Sequence, residues 1–185
     1  VRDSDKAPIA LRHVMGDSTI PLHVTATRYF NQDFVIISLG KKVSILSGQF
    51  PDDTKTSATS LLPFATFSFG SDVQWLQTSD SGRFVVAQNG AQYVGYDLER
   101  KTLSPVATMA GSSESKKLRW LDDYNVWSDR SDVLTMREFD GANEHAINTV
   151  ATGFDATLSP SGKYMYSIGR VGESYQLQRV KMILN

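Results

Sequence analysis

The sequence predicts an all-β protein, a β-propeller or propeller fragment built from four meander blade repeats. Three observations predict it. A short strand opened by an aromatic residue recurs four times at nearly constant spacing, polar turns recur in step with it, and no window of eleven or more residues holds an uninterrupted helical pattern.

The recurring strand is Asp33-Phe34-Val35-Ile36, Arg83-Phe84-Val85-Val86, Tyr124-Asn125-Val126-Trp127 and Lys163-Tyr164-Met165-Tyr166. Its lead aromatics at 34, 84, 124 and 164 are 50, 40 and 40 residues apart, close to the roughly 40 to 45 residues of a propeller blade. Phe34, Phe84, Tyr124 and Tyr164 are therefore expected at equivalent places on the second strand of successive units. The longer first interval is assigned to a polar insertion at residues 51–60, expected as an exposed loop before an outer strand at 64–69.

Turns rich in residues that accept positive φ or bond their own backbone precede each copy: Asn31-Gln32-Asp33, Asp80-Ser81-Gly82, Asp122-Asp123 and Ser159-Pro160-Ser161-Gly162. A second turn follows each aromatic, Asn89-Gly90 being the best hairpin signal. Third strands come next at 43–46, 93–96, 133–136 and 175–180, and first strands are placed upstream near 22–27, 73–76, 117–121 and 154–158. A lone meander cannot bury both of its faces, so repeated meanders stack face to face. The whole chain, 1–185, reads as one domain with units near 15–70, 71–111, 112–150 and 151–185. The fourth unit ends after its third strand, and residues 8–14 are the natural candidate to complete it and close the ring.

Composition narrows the function classes. With 19 basic and 20 acidic residues among 185, the net charge of -1 gives no long-range field favouring nucleic acid. No apolar run approaches the roughly 18 residues of a membrane span. The run Lys116-Lys117-Leu118-Arg119 reads as a solvated loop and strand edge. The chain has no cysteine, which excludes disulfides and thiolate metal sites. It begins at Val1 without a charged and apolar leader, and reads as a piece of a longer product.

Two segments, Leu158-Ser159-Pro160-Ser161-Gly162-Lys163-Tyr164 and Phe139-Asp140-Gly141-Ala142-Asn143, resemble the blade signatures of the bacterial TolB-type, WD40-like propeller family. In that family a Ser-Pro-Asp-Gly-Lys turn opens an inner hairpin and an Asp-Gly turn leaves the third strand. Here Ser161 stands where the family has Asp. The run Trp120-Leu121-Asp122-Asp123-Tyr124, followed by Phe139-Asp140-Gly141, also resembles the propeller-like region of bacterial envelope proteins that carry a PEGA domain. These resemblances imply a propeller fold and an extracytoplasmic location, at the cell surface or in the periplasm.

A search for chemistry finds little. His13, His23 and His145 belong to no closely spaced ligand set, and no nucleophile elbow or nucleotide loop occurs. Asp52-Asp53 and Asp122-Asp123 read as turn caps rather than calcium ligands. No catalytic residue, metal site or cofactor is expected. Trp75, Trp120 and Trp127 fall in strands where large side chains fill the space between blades, so packing is their ordinary role. Trp75, Trp120 and the adjacent Arg119 are nonetheless the candidate partner-binding residues, because aromatic and Arg side chains dominate interface energetics. The reading is a non-catalytic binding module of a cell-envelope protein that presents propeller loops to a protein or glycan, with self-association expected if the ring is incomplete. The alternative is a hydrolase or lyase whose site lies in the central channel.

Overall fold

The computed structural model describes residues 19–50, 61–110 and 116–182. The expectations for residues 8–14, for 51–60 and for His13 lie outside the described residues. Among those described there is no helix, and so none long and apolar enough to cross a membrane.

The strands form four antiparallel sheets, each a meander in chain order. Blade 1 contains β1 (Leu22–Tyr29), β2 (Gln32–Leu39), β3 (Lys42–Gly48) and β4 (Leu62–Ser68). Blade 2 contains β5 (Trp75–Thr78), β6 (Phe84–Asn89) and β7 (Gln92–Asp97), with its outer edge broken into β8 (Thr102–Leu103) and β9 (Ala107–Thr108), both paired with β7. Blade 3 contains β10 (Arg119–Trp120), β11 (Asn125–Ser128), β12 (Val133–Glu138) and β13 (His145–Thr149). Blade 4 contains β14 (Thr157–Leu158), β15 (Tyr164–Val171) and β16 (Ser174–Lys181).

The turns form as the sequence chemistry dictates. Asn89 pairs with Gln92 across a two-residue loop, which needs positive φ, and Gly90 supplies it at 53°. Ser79 and Ser159 each turn a hydroxyl back to the backbone N–H of the strand that follows, at Phe84 and Tyr164.

Because successive side chains of a strand point to opposite faces, the second strands of blades 2 and 3 each serve two neighbours. Phe34 and Ile36 face blade 2, where they meet Val85, Ala87, Val94 and Tyr96 in one buried cluster. Val86 and Tyr93 of blade 2 meet Leu118 and Val126 of blade 3. Trp127 and Leu134 of blade 3 meet Ala156 and Met165 of blade 4. The core is thus three successive layers between four sheets, rather than one central mass.

One aromatic is out of step. The Ser79 N–H bonds to the Phe84 carbonyl and that of Ser159 to Tyr164, but the Leu121 N–H bonds to Asn125, a turn one residue shorter. Asn125 therefore takes the register of Phe84 and Tyr164, and the expectation for Tyr124 is corrected. Tyr124 precedes β11 and is 53% exposed, whereas Phe34 and Phe84 are buried. The basic run is also corrected: Leu118 is fully buried, and Lys116 is mostly covered and paired with Asp155 at 3.1 Å.

Candidate functional site

A cleft of about 360 Å³ lies between blades 2 and 3. Its floor is aromatic. Phe84 stacks on Phe139 with ring centroids 4.0 Å apart and meets the edge of Tyr124 at 5.3 Å. Phe139 reaches this position because β7 carries a glycine opposite it. A Cβ on Gly95 would lie 2.6 Å from Phe139 Cδ2, closer than side chains tolerate.

One wall is an ion cluster. Arg83 donates to Asp97 through Nε at 3.0 Å and Nη2 at 2.7 Å, a bidentate pair, and meets Glu99 at 2.5 Å. Asp97 also accepts the backbone N–H groups of Glu99 and Arg100, which shape the turn leaving β7. Burial works to raise the Asp97 pKa, but hydrogen bonds from Arg83, Arg100 and Glu99 outweigh it and hold the carboxyl below its ordinary value. The bond to Asp97 likewise raises the Arg83 pKa against its own burial. Arg83 lies over the Phe84 ring at 4.8 Å, joining the charged wall to the aromatic floor.

The other wall comes from β8 and the turn after β12. Ser104 accepts the Gly95 N–H and donates to the Pro105 carbonyl, fixing the break in the outer edge of blade 2. Asp140 caps the Ala142 N–H, and Glu138 accepts from the Asn143 amide. Tyr124, Leu103 and Arg100 stand at the mouth, with the Arg100 side chain 76% exposed. Arg83 is neutralised by its carboxylates, so the cleft offers an aromatic ring, an apolar edge and an accessible guanidinium. Those groups bind. No set of three or more His, Asp or Glu side chains among the described residues is placed to hold a metal ion.

Trp75, Arg119 and Trp120 lie elsewhere, on the first strands of blades 2 and 3. Trp75 is half-buried opposite Gln88. Trp120 is half-buried against the cluster joining blades 2 and 3, its indole N–H without a partner among the described residues. Arg119 is held by the junction of blades 3 and 4: it donates to the Ala156 carbonyl at 2.8 Å and lies over Trp127 at 4.7 Å. Of the cleft residues, sequence reasoning singled out Phe84, Tyr124 and Phe139 for repeat or family likeness, not as a site. The available signal was the lone glycine inside the third strand of blade 2, which marks a close approach.

No protein-family model and no curated protein matches the chain. Solved structures do. The C-terminal WD40 domain of Sif2 aligns at a TM-score of 0.56 and 10% identity, covering 91% of this chain and 46% of that one. This chain has a β-propeller fold. The dihydro-heme d1 dehydrogenase NirN in complex with DHE aligns at 0.52 and 17% identity, over 86% of this chain and 36% of that one. Kuenenia stuttgartiensis hydrazine synthase aligns at 0.52 and 16% identity, over 95% and 49%. The propeller blades described here thus span less than half the length of each of these chains.

Proposed function

We propose that this chain is the propeller part of an interaction module that binds a protein or glycan partner, and that it belongs to a bacterial cell-envelope protein. The cleft between blades 2 and 3 carries the reading. It places the exposed ring of Tyr124 and the exposed guanidinium of Arg100, loosely paired with Asp97 at 3.9 Å, beside a rigid floor of Phe84 and Phe139. Tyrosine and arginine are enriched among the residues that dominate recognition surfaces, and a rigid floor beneath Tyr124 lowers the conformational cost of contact there. An apolar or sugar face would stack on Tyr124 while an acidic or hydroxyl group meets Arg100. Trp75, Trp120 and Arg119 are a second contact set in this reading, on the first strands. The TolB-like Ser159-Pro160-Ser161-Gly162-Lys163 turn and the PEGA-protein-like run at Trp120 support the envelope assignment.

Screening the chain against peptide and glycan arrays, then repeating with Tyr124→Ala and Arg100→Glu, tests the site. At least a tenfold loss of binding is expected for each, with circular dichroism unchanged. A ligand whose affinity neither substitution alters rejects the cleft. Labelling of intact cells by an antibody against the chain tests the location, and signal only after lysis rejects it.

A further inference from the structure

The charges around the cleft between blades 2 and 3 narrow what can enter it. The guanidinium groups of Arg83 and Arg100 stand against the carboxylates of Asp97, Glu138 and Asp140, with Glu99 behind Arg83. Arg83 is consumed by Asp97 and Glu99, and Arg100 lies 3.9 Å from Asp97. No surplus of positive charge is left to hold a phosphate or carboxylate ligand. A cation is no better served. It would have to pass the exposed Arg100 and share Tyr124 with Arg83, whose guanidinium already lies 6.0 Å from that ring. The occupant that suits these walls is neutral.

The backbone narrows the choice further. An extended peptide adds to a sheet edge through a row of unused backbone donors and acceptors. Here the N–H groups of Arg100, Ser104, Tyr124, Glu138 and Phe139 are already donated within the chain, and Pro105 has none. What the walls keep is side-chain chemistry. Asp140 spends one oxygen on the Ala142 N–H and Glu138 one on the Asn143 amide, while the Arg100 guanidinium stands at the mouth. The Thr102 hydroxyl lines the same cleft and can donate or accept. Beside the exposed Tyr124 ring, this mixture matches a molecule with one apolar face and a rim of groups that both donate and accept. A pyranose is built that way, with C–H groups on its face and hydroxyls at its edge. The cleft volume of about 360 Å³ falls at the lower end of the roughly 300 to 1,000 Å³ of small-ligand sites, room for a short sugar and not for a helix.

We propose that the cleft is a subsite for an uncharged sugar ring, which stacks on Tyr124 while its hydroxyls donate to Glu138 and Asp140 and accept from Arg100. The proposal rests on the cleft being the recognition site and adds the chemical class of its ligand.

Isothermal titration calorimetry of the 185-residue chain with cellotetraose, N-acetylchitotetraose and tetragalacturonate tests it. Saturable binding of at least one of the neutral sugars is expected, with the acidic one at least tenfold weaker. Tyr124→Ala should weaken the neutral sugar at least tenfold, and Tyr124→Phe, which keeps the ring, should largely retain it. Asp140→Asn keeps an oxygen for the Ala142 N–H but loses the charged acceptor, and should weaken binding several-fold with unchanged circular dichroism. No binding of either neutral sugar up to about 10 mM, tenfold above a weak Kd of about 1 mM, overturns the sugar assignment. A peptide from the arrays whose affinity still falls with Tyr124→Ala and Arg100→Glu would overturn the sugar alone and leave the cleft standing as the recognition site. Equal affinity for tetragalacturonate overturns the neutral ligand. Sugar binding indifferent to Tyr124→Ala overturns the cleft as its place.

Discussion

The junction of blades 1 and 2 and the junction of blades 3 and 4 perform the same architectural task with different chemistry. The first is almost wholly apolar: Ile36, Val43, Ile45, Val73, Val85 and Ala87 are fully buried, and Phe67 stacks on Tyr96 at 5.7 Å. The second has a smaller apolar cluster and a buried carboxylate, Asp129, whose side chain is 1% exposed. Asp129 accepts the Ala156 N–H at 2.8 Å and has Lys116 at 3.7 Å and Arg119 at 3.9 Å. The contrast centres on one register position, four residues beyond Phe34, Phe84 and Asn125. It is Ser38 in blade 1, Gln88 in blade 2 and Asp129 in blade 3. Where apolar contact is plentiful this position is small and does nothing directional; where it is sparse the position bonds the backbone just ahead of the next blade's first strand.

Substituting this position in each blade tests the comparison, and Asp129→Ala should have the largest effect. It orphans the Ala156 N–H and leaves Lys116 and Arg119 facing each other without their shared carboxylate. The loss expected is about 3 kcal/mol, tempered by the alternative partner of Lys116, Asp155, and by the partial exposure of Arg119. Urea denaturation measures it. A loss under about 1 kcal/mol would mean that the apolar cluster alone holds blade 4 and that the contrast is ornamental.

Gln88→Ala comes next. The Gln88 amide is fully buried, accepts the Leu118 N–H at 2.8 Å, and donates to the carbonyls of Lys116 at 2.8 Å and Gly90 at 2.9 Å. Three backbone groups lose a partner, but no charge is stranded, and about 2 kcal/mol is expected from the same denaturation measurement. A larger loss than for Asp129→Ala would reverse the order and show that neutral hydrogen bonds, not ions, carry these junctions.

The repeat was legible because its determinants are local. Phe34, Phe84 and Tyr164 follow polar turns and begin runs rich in strand-forming residues, and each lies in the second strand of its blade. Tyr124 was misplaced because its turn, Asp122-Asp123, is one residue short and lacks the glycine present at Gly82 and Gly162; sequence periodicity does not resolve a slip of one. Asp122 does cap as expected, accepting the N–H groups of Tyr124 and Asn125. The junction ions were not legible, since Lys116 and Arg119 find Asp155, Asp129 and Ala156 only once two sheets are stacked. The cleft is of the same kind. Its floor joins Phe84 to Phe139, 55 positions on, and the candidate residues Trp75, Arg119 and Trp120 were selected by residue type, which carries no information about which blade gap is wide.

A smaller, pH-dependent effect is expected at blade 2. The Asp97 pKa is depressed in the folded chain, because the hydrogen bonds from Arg83 and two backbone N–H groups outweigh burial. A depressed folded pKa means that the contribution is complete above the unfolded value of about 4 and disappears as pH falls through the folded one. The denaturation midpoint should therefore drop as pH is lowered below about 4, and Asp97→Asn, which cannot titrate, should show a shallower drop from a lower start. An equally steep acid limb in that variant would assign the effect to other carboxylates, and the Arg83–Asp97 pair would then be a shape-giving contact rather than a stabilising one.

The smallest change is the sharpest test of the comparison. Ser38 is fully buried, and its hydroxyl has no hydrogen-bond partner among the described residues. It occupies the register from which Gln88 and Asp129 reach across, yet it faces the most apolar of the three junctions. A buried hydroxyl without a partner carries an unrecovered desolvation cost, so removing it should not destabilise the fold. Ser38→Ala is expected to leave stability within about 0.5 kcal/mol or raise it slightly, read as an unchanged or higher melting temperature. Ser38→Val adds volume at a closed site and should lower it, through overpacking. If Ser38→Ala instead costs more than about 1 kcal/mol, the scale of a net hydrogen bond, the hydroxyl has a working partner, and the blade 1–2 junction is tied by the same backbone link as the other two.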